Sequence, residues 1–318
     1  MLIPKYKNIH KEINLKAGMS GKYKLTAIRP DGTERPLTGW FDNLILDSGL
    51  NYKGSYTGNP ASGGDFIVAC QVGTGTSTPT TTQTSLDNRV MGTTSTASTS
   101  SGAQGTAPYY GYYIKTYRFA AAVTNYNLTE VGVGSASTGG TLVSRALILD
   151  GVGAPTTVTL LTGEILDVSY ELRLYPGLVA GDYTQSGINI NGTSTTIVSR
   201  AASVTSSTWG NYIVYGMSST ASFNCTLYSG SLGAITTIPS GTSYGLSAAD
   251  SIGSYSAGSY SQSATFVAGL TEANPVGGIT AASITTAVGV YQYSFSPAIM
   301  KDNTMTLSLT FNFSWARV

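Results

Sequence analysis

Alternation of apolar and polar residues runs through much of the chain and predicts strands of β-sheet. In the two clearest runs, residues 168–174 and 305–315, apolar residues recur at every second position. Successive side chains of a strand point to opposite faces, so each run predicts a strand with one buried face. Shorter runs of the same kind are separated by turns rich in Gly and Ser. Short strands at this spacing predict an all-β fold of the sandwich or barrel type.

Helical periodicity is weak along the whole sequence. Residues 44–54 have the spacing of a short helix ended by Gly49, and residues 84–91 are a second candidate. Residues 92–108 consist mainly of Ser, Thr, Gly and Ala, which predicts a long exposed loop. We therefore expect at most one or two short helices.

The strand pattern stops and restarts near the middle of the chain. Pro176 and Gly177 end the first series of strands, and residues 177–187 resemble a linker. Each half ends in one of the two long amphipathic strands. The pattern predicts an N-terminal extended arm over residues 1–20 and two β-sandwich (jelly-roll-like) domains, over residues 21–178 and 183–318.

Charged residues are few and unevenly distributed. They make up 10% of the 318 residues, against about 25% in typical soluble domains. The net charge of +1 gives no basic field that would attract nucleic acid. Residues 1–53 hold nine basic and five acidic residues, whereas residues 183–318 hold three of each. The basic leader, with Lys5, Lys7 and Lys11, either docks on an acidic neighbour or is a solvated arm.

Targeting and redox signals are also sparse. No apolar run approaches the roughly 18 residues of a membrane-spanning helix, and residues 1–20 lack the apolar core of a secretory signal. We expect neither membrane insertion nor secretion. Cys70 and Cys225 lie in apolar, strand-like surroundings and are expected to be two buried free thiols.

Few residues have the types and spacing that catalysis needs. His10 is the sole histidine, and it precedes the first predicted strand, which is a poor place for the base of a Ser/His/Asp triad. Glu164, Asp167 and Glu171 are the best paired carboxylates for a glycosidase. Asp167 and Glu171 share one strand face, and we interpret the group as a solvated face. We expect no catalytic residues, no metal and no cofactor.

Tyrosine is unusually frequent, with 21 residues. Tyrosine packs well in strands, and it is also enriched where subunits or sugars make contact. All three roles remain open. The interface candidates in the folded part of the chain are Tyr109, Tyr110, Tyr112, Tyr113, Trp209, Tyr212, Tyr255 and Tyr260.

An ordered set of short motifs in the first half resembles a known family. The motifs are residues 40–50 (WFDNLILDSGL), 72–79 (VGTGTSTP), 117–119 (YRF), 127–132 (NLTEVG), 142–147 (LVSRAL) and 164–172 (EILDVSYEL). Their order is similar to that in tail, tail-fibre and collar proteins of tailed bacteriophages. The similarity covers about residues 20–176, and residues 183–318 resemble no particular family.

The resemblance implies a non-enzymatic structural protein of the virion, made in the bacterial cytoplasm. It implies a homo-oligomer whose partners are its own copies and other tail or neck proteins. The first domain would attach to the virion, and the second would project or contact neighbours. Two other hypotheses remain. One is a receptor-binding module that recognises host-surface glycan through the Tyr-rich second domain. The other is a glycan-degrading enzyme that uses the carboxylates near Glu164.

Overall fold

The structure is a computed structural model that describes residues 15–62, 64–190 and 192–318. Strands account for 48% of the chain and helices for 6%. The predicted all-β fold, with sandwich packing and at most two short helices, is confirmed. The candidates Lys5, Lys7 and Lys11 lie outside the described residues.

The described residues form twenty-two strands, two α-helices and one 3₁₀ turn at Thr220–Ser222. In chain order the strands and α-helices are β1 (Leu15–Ile28), β2 (Glu34–Pro36), β3 (Phe41–Asp42), β4 (Leu44–Ile45), α1 (Asp47–Ser55), β5 (Ala69–Gly73), β6 (Arg89–Thr93), β7 (Thr96–Gln104), β8 (Tyr110–Arg118), β9 (Tyr126–Leu128), β10 (Glu130–Gly134), β11 (Leu142–Leu147), β12 (Val158–Leu160), β13 (Ile165–Tyr175), β14 (Tyr183–Ile190), β15 (Thr193–Ala201), α2 (Thr208–Tyr212), β16 (Asn224–Tyr228), β17 (Ser243–Ala248), β18 (Ser251–Ile252), β19 (Ser261–Ala268), β20 (Ile279–Thr286), β21 (Gly289–Ile299) and β22 (Leu307–Arg317).

The largest sheet has nine strands, and β1 lies in its middle. We call it the central sheet. Its strand order is β18-β19-β22-β1-β13-β8-β7, and β2 and β3 also pair with β1. β1 pairs antiparallel with β13 over residues 18–28 and parallel with β22 over residues 15–19. The two strands with the clearest alternation in the sequence therefore flank β1.

One face of the central sheet is polar and the other is buried. In β1, Tyr23 and Leu25 are fully buried, whereas Lys22 and Lys24 point to the opposite face. β13 and β22 alternate in register with β1, so their apolar residues continue the same buried face. The prediction that residues 168–174 and 305–315 are amphipathic strands is confirmed.

Two smaller sheets cover the buried face. The five-stranded sheet has the order β4-β11-β10-β5-β6, and the six-stranded sheet has the order β14-β15-β21-β20-β16-β17. Tyr23 of β1 is hydrogen-bonded to Ser144 of β11 at 2.7 Å. Tyr293 of β21 packs on Phe311 of β22, with ring centroids 4.7 Å apart. β9 and β12 form a separate two-stranded sheet.

Both predicted sandwich segments contribute strands to the central sheet. Residues 21–178 supply β2, β3, β7, β8, β13 and most of β1, and residues 183–318 supply β18, β19 and β22. One core cluster extends from Ala17 to Trp315. Each segment therefore has a small sheet of its own, and the two meet in the central sheet. Residues 15–20, predicted to belong to the arm, are the start of β1.

The predicted helix in residues 44–54 exists, but Gly49 lies inside it and does not end it. α1 begins at Asp47 and ends at Ser55. Gly49 is buried against β11, where an added Cβ would lie 2.2 Å from the carbonyl oxygen of Val143. This glycine is therefore required by the close approach of the helix to the strand.

Three other local predictions differ from the structure. Residues 84–91 are not helical, since Arg89 starts β6, which pairs with β5. Residues 92–108 contain the strand β7, because its Thr and Ser residues pair with the aromatic strand β8. The predicted linker, residues 177–187, runs into β14, and the short helix α2 lies in a part of the chain with no helical pattern.

We expect Gly49→Ala to lower the free energy of unfolding. The added methyl group meets a backbone carbonyl that cannot rotate away, and overpacking of this kind costs about 1–3 kcal/mol. Urea unfolding monitored by circular dichroism measures the change. The control is Gly151→Ala, which places its Cβ in open space and should shift stability by no more than about 0.5 kcal/mol. Equal stability of the two variants would contradict the described packing.

Candidate functional site

The tyrosines predicted as interface candidates around β8 are half-buried. They are Tyr109, Tyr110, Tyr112 and Tyr113. The ring of Tyr110 lies 5.4 Å from that of Tyr175, and the guanidinium of Arg173 is 4.4 Å from its centroid. Since strand residues alternate, Tyr110 and Tyr112 lie on the polar face of the central sheet and Tyr113 on the other.

Trp209 is a core residue, so its prediction as a surface contact is wrong. It is 1% exposed, and its indole Nε1–H donates to the carbonyl oxygen of Ala202 at 3.1 Å. An added Cβ on Gly289 would lie 2.3 Å from the indole ring. The side chain is enclosed by α2 and β21, which leaves no surface for a partner.

Tyr255 and Tyr260 hold a loop of the second segment against α1. The Tyr255 hydroxyl donates to Oδ1 of Asn51 at 2.9 Å, and its ring stacks on Trp315 with centroids 5.9 Å apart. The Tyr260 hydroxyl lies 3.4 Å from Oδ1 of Asp47. Both residues therefore make contacts between the two segments of this chain.

Tyr212, the last residue of α2, contacts a tyrosine that follows the helix. Its ring meets that of Tyr215 edge-on at 5.8 Å. Tyr212 is half-buried, whereas Tyr255 and Tyr260 pack on α1. The structure therefore distributes the predicted tyrosines over several places and does not gather them into one site.

The carboxylates near Glu164 are each held by an arginine, and the interpretation as a solvated strand face is wrong for two of them. Glu164 is 2% exposed and Glu171 is 8% exposed. Arg35 donates to both carboxylate oxygens of Glu164, at 3.0 and 2.5 Å. Glu171 accepts from Arg173 at 2.5 Å.

Asp167 is engaged in the same way by a neighbouring strand. Arg118 of β8 donates to its two oxygens at 2.9 and 2.7 Å. This bidentate geometry fixes both partners on the polar face of the central sheet. The carboxylates thus bind arginines and do not face one another as an acid and a base would.

A buried ionic cluster lies in the five-stranded sheet, and we call it the Glu130–Arg145 cluster. It consists of Glu130, Arg145, Asp87, Gln83 and Ser77. Both Glu130 and Arg145 are 0% exposed. Arg145 Nε donates to Glu130 at 3.0 Å, and its two terminal nitrogens donate to Asp87 at 2.7 Å and Gln83 at 2.8 Å.

Glu130 also binds the backbone of the long loop between β5 and β6. One carboxylate oxygen accepts the amides of Gly75 at 2.9 Å and Asn88 at 2.8 Å, and the other accepts Asp87 N–H at 3.0 Å. An added Cβ on Gly73 or Gly75 would lie 2.5 Å from this carboxylate. The two glycines therefore allow the loop to approach the charge closely.

Three of the motifs quoted for the family resemblance meet at this cluster. Residues 72–79 supply the glycine loop, residues 127–132 supply Glu130, and residues 142–147 supply Arg145. The sequence itself carries a signal for this cluster. A charged residue at the start or in the middle of an apolar strand, as in EVGVG and LVSRAL, indicates a buried charge that needs a partner.

The other residues with reactive chemistry are enclosed. Cys70 and Cys225 are buried free thiols, as predicted, and burial raises the pKa of each. No three side chains among the described residues form a group that could hold a metal. The described helices include none long and apolar enough to cross a bilayer.

Three sheet edges are formed by strands of six or more residues, and all three lack protection by charge. They are β7 of the central sheet and β14 and β17 of the six-stranded sheet. Their sequences, TASTSSGAQ, YTQSGINI and SYGLSA, contain no charged residue and no proline. Soluble proteins commonly place such residues on free edges to prevent pairing with other chains.

β7 offers the longest regular stretch of free edge. Each of the three strands contains one bulge. In β7 the bulge lies before Ser98, so residues 98–104 pair regularly with β8. Residues 96–100 are also exposed. No further strand of the described part of the chain pairs with these edges, and β7 is the best placed to accept one at residues 96–100, because α2 packs on it at Ser101 and Gly102.

Comparisons with known proteins identify no relative of this chain. No protein-family model matches the sequence, and no curated protein or solved structure matches it.

We expect Glu130→Gln to destabilise the protein strongly. It keeps the size of the side chain but removes the fully buried counter-charge of Arg145 and leaves only the partly exposed Asp87, and breaking a buried pair costs about 3–5 kcal/mol. Urea unfolding measures the loss. The control is Asp167→Asn, whose partner Arg118 is half-exposed, and it should cost at most about 1 kcal/mol. Similar losses in both variants would contradict a special role for the cluster.

We also expect Glu164 to contribute to stability at neutral pH and not in acid. The hydrogen bonds from Arg35 hold the pKa of this carboxyl below its usual range. Its contribution is therefore complete above the unfolded-state pKa of about 4.3 and is lost as the pH falls through the lower folded-state pKa.

The test is to measure unfolding of the wild type and Glu164→Gln from pH 7 to pH 2. The gap in free energy should be largest at pH 7 and should close in acid, because protonation removes the difference in charge. Glu34→Gln changes an exposed carboxylate and should leave a small gap throughout. A gap for Glu164→Gln that stays constant over this range would rule out the ionic contribution.

Proposed function

We propose that this protein is a non-enzymatic structural component of a bacteriophage virion, in the tail, the neck or collar, or at a fibre attachment, and that it assembles as a homo-oligomer. It is made in the bacterial cytoplasm and resides in the virion. Its partners are copies of itself and other tail or neck proteins.

The observation that carries this proposal is the set of uncharged free edges. An isolated protein with three such edges is exposed to uncontrolled strand pairing, whereas a closed assembly covers them with defined neighbours. The edge formed by β7 lies in a stretch that contains no charge from Val90 to Ile114. A surface of this composition suits permanent coverage, because charged residues are depleted in the cores of interfaces.

The internal chemistry of the chain agrees with a structural role. The carboxylates that offered the best enzymatic candidates are bound by arginines. The motifs behind the family resemblance support a loop and a sheet through the Glu130–Arg145 cluster. Both arrangements stabilise a fold and leave no acid–base pair in a cleft.

We expect Ser98→Lys combined with Ser100→Lys to reduce the size of the assembly. The two positions are exposed on β7, and charges there disfavour the approach of another uncharged strand. Light scattering coupled to size-exclusion chromatography gives the mass of the wild type and of the variant. The control, Ser254→Lys with Ser256→Lys, adds the same charge at exposed positions outside the strands.

The control should keep the mass of the wild-type assembly. A wild-type mass of one chain at all concentrations would overturn the homo-oligomer. Mass spectrometry of purified virions tests the location independently, and absence of the chain from intact particles would overturn the virion assignment.

Recognition of host-surface glycan is a second candidate function, but the aromatic residues that first suggested it do not support it. Trp209 is buried, and Tyr255 and Tyr260 are engaged by α1. A separate groove in the same segment, at Arg200, is the observation that favours it.

A further inference from the structure

An open groove of about 600 Å³ lies on the outer face of the six-stranded sheet. This volume is within the range of about 300–1,000 Å³ found for small-molecule sites. The β15–β21 pair forms its base, where Val198 lies opposite Ser294. The turn that follows β16 forms one wall, with Ser229, Ser231 and Leu232. The groove contains none of the tyrosines considered above.

Hydrogen bonds from two side chains hold this wall in place. The guanidinium of Arg200 donates to the carbonyl oxygen of Gly233 at 3.0 Å. Gln292, which is 0% exposed, accepts the amide of Gly233 at 2.8 Å and donates to the carbonyl oxygen of Ala234 at 3.0 Å. The groove is therefore formed before any ligand arrives, which lowers the entropic cost of binding.

The charges in the groove cancel. Arg200 donates through its other terminal nitrogen to Asp182 at 2.5 Å. A cationic ligand would be repelled by the guanidinium, and an anionic ligand would have to displace the carboxylate. A ligand without charge avoids both costs, because it does not break this ion pair.

The groove also offers hydrogen bonds suited to hydroxyl groups. Each terminal nitrogen of Arg200 carries two hydrogens and donates one of them within the chain, to Gly233 or to Asp182, so the guanidinium keeps further N–H donors for a ligand. Asp182 is an acceptor beside it, and Thr280 and Ser294 add hydroxyls to the lining. Val198 and Leu232 supply apolar surface between these groups. A lining that combines hydrogen-bonding groups with apolar side chains suits a sugar ring, which presents both hydroxyl groups and C–H surfaces.

We propose that this groove binds a neutral glycan. Arg200 and Asp182 hydrogen-bond ring hydroxyls, and the apolar side chains pack on the sugar's C–H face. This activity is separate from the proposed assembly role, since the groove lies on a sheet face and not on a free strand edge.

The test uses the full-length protein on an array of neutral bacterial surface oligosaccharides, followed by calorimetry with the best ligand. Ser294→Phe fills the groove from its base and should weaken binding at least tenfold. Ser231→Trp, at an exposed position on the rim, should have the same effect and covers the case in which the first variant misfolds.

The matched control is Thr196→Phe, which adds an aromatic ring on the same outer face but outside the groove. It should bind as the wild type does. No binding of the wild type to any neutral glycan would overturn the proposal, and so would binding that neither groove variant weakens. Either result is independent of whether the chain is found in virions.

Discussion

The one-sided burial of the central sheet is the constraint on which the architecture depends. Its strands place polar residues on one face and a mainly apolar surface on the other, and that surface must be removed from water. It extends from β8 across β1 to β19. Neither smaller sheet spans this width, so the five-stranded and six-stranded sheets cover it side by side. The two segments of the chain are joined because they share this surface.

The Glu130–Arg145 cluster has a different role in that architecture, because it binds the backbone of a loop. The loop between β5 and β6 has no regular secondary structure, yet its backbone amides need acceptors where the loop folds over the sheet. Glu130 supplies those acceptors, and Arg145 neutralises the carboxylate. Burying two charges has a large desolvation cost, which is offset only because nearly all their hydrogen-bonding groups are used. Such a cluster favours one loop conformation over all others.

The sequence predicted those structural features that depend only on residues close together in the chain. Alternation located β13 and β22, because a strand with one buried face must repeat every two residues. Pro30 and Gly32 likewise stand where a β-turn favours them, and the chain turns at Arg29–Gly32 with Gly32 at a φ of +85°. The buried state of both cysteines followed from their apolar neighbours. Local pattern was sufficient for these features.

Long-range contacts could not be obtained in this way. Nothing in the sequence of β1 indicates that one side pairs with β13 and the other with β22. The burial of Trp209 depends on Gly289, which is distant in sequence. The groove at Arg200 is assembled from three strands, a turn and the residue before β14, and its residues are individually unremarkable. Such features arise from tertiary packing, which a pattern with a period of two does not encode.

The parallel pairing of β1 with β22 has a consequence for the order of folding. Leu15 lies opposite Phe313, so the middle of the central sheet contains strands from opposite ends of the described chain. While the protein is being synthesised, β1 can pair with β13, but this part of its other edge remains open until β22 leaves the ribosome. Contacts of such long sequence separation are slow to form. Between the emergence of β1 and that of β22, the nascent chain therefore exposes an unpaired strand edge, in a protein that also has three uncharged strand edges.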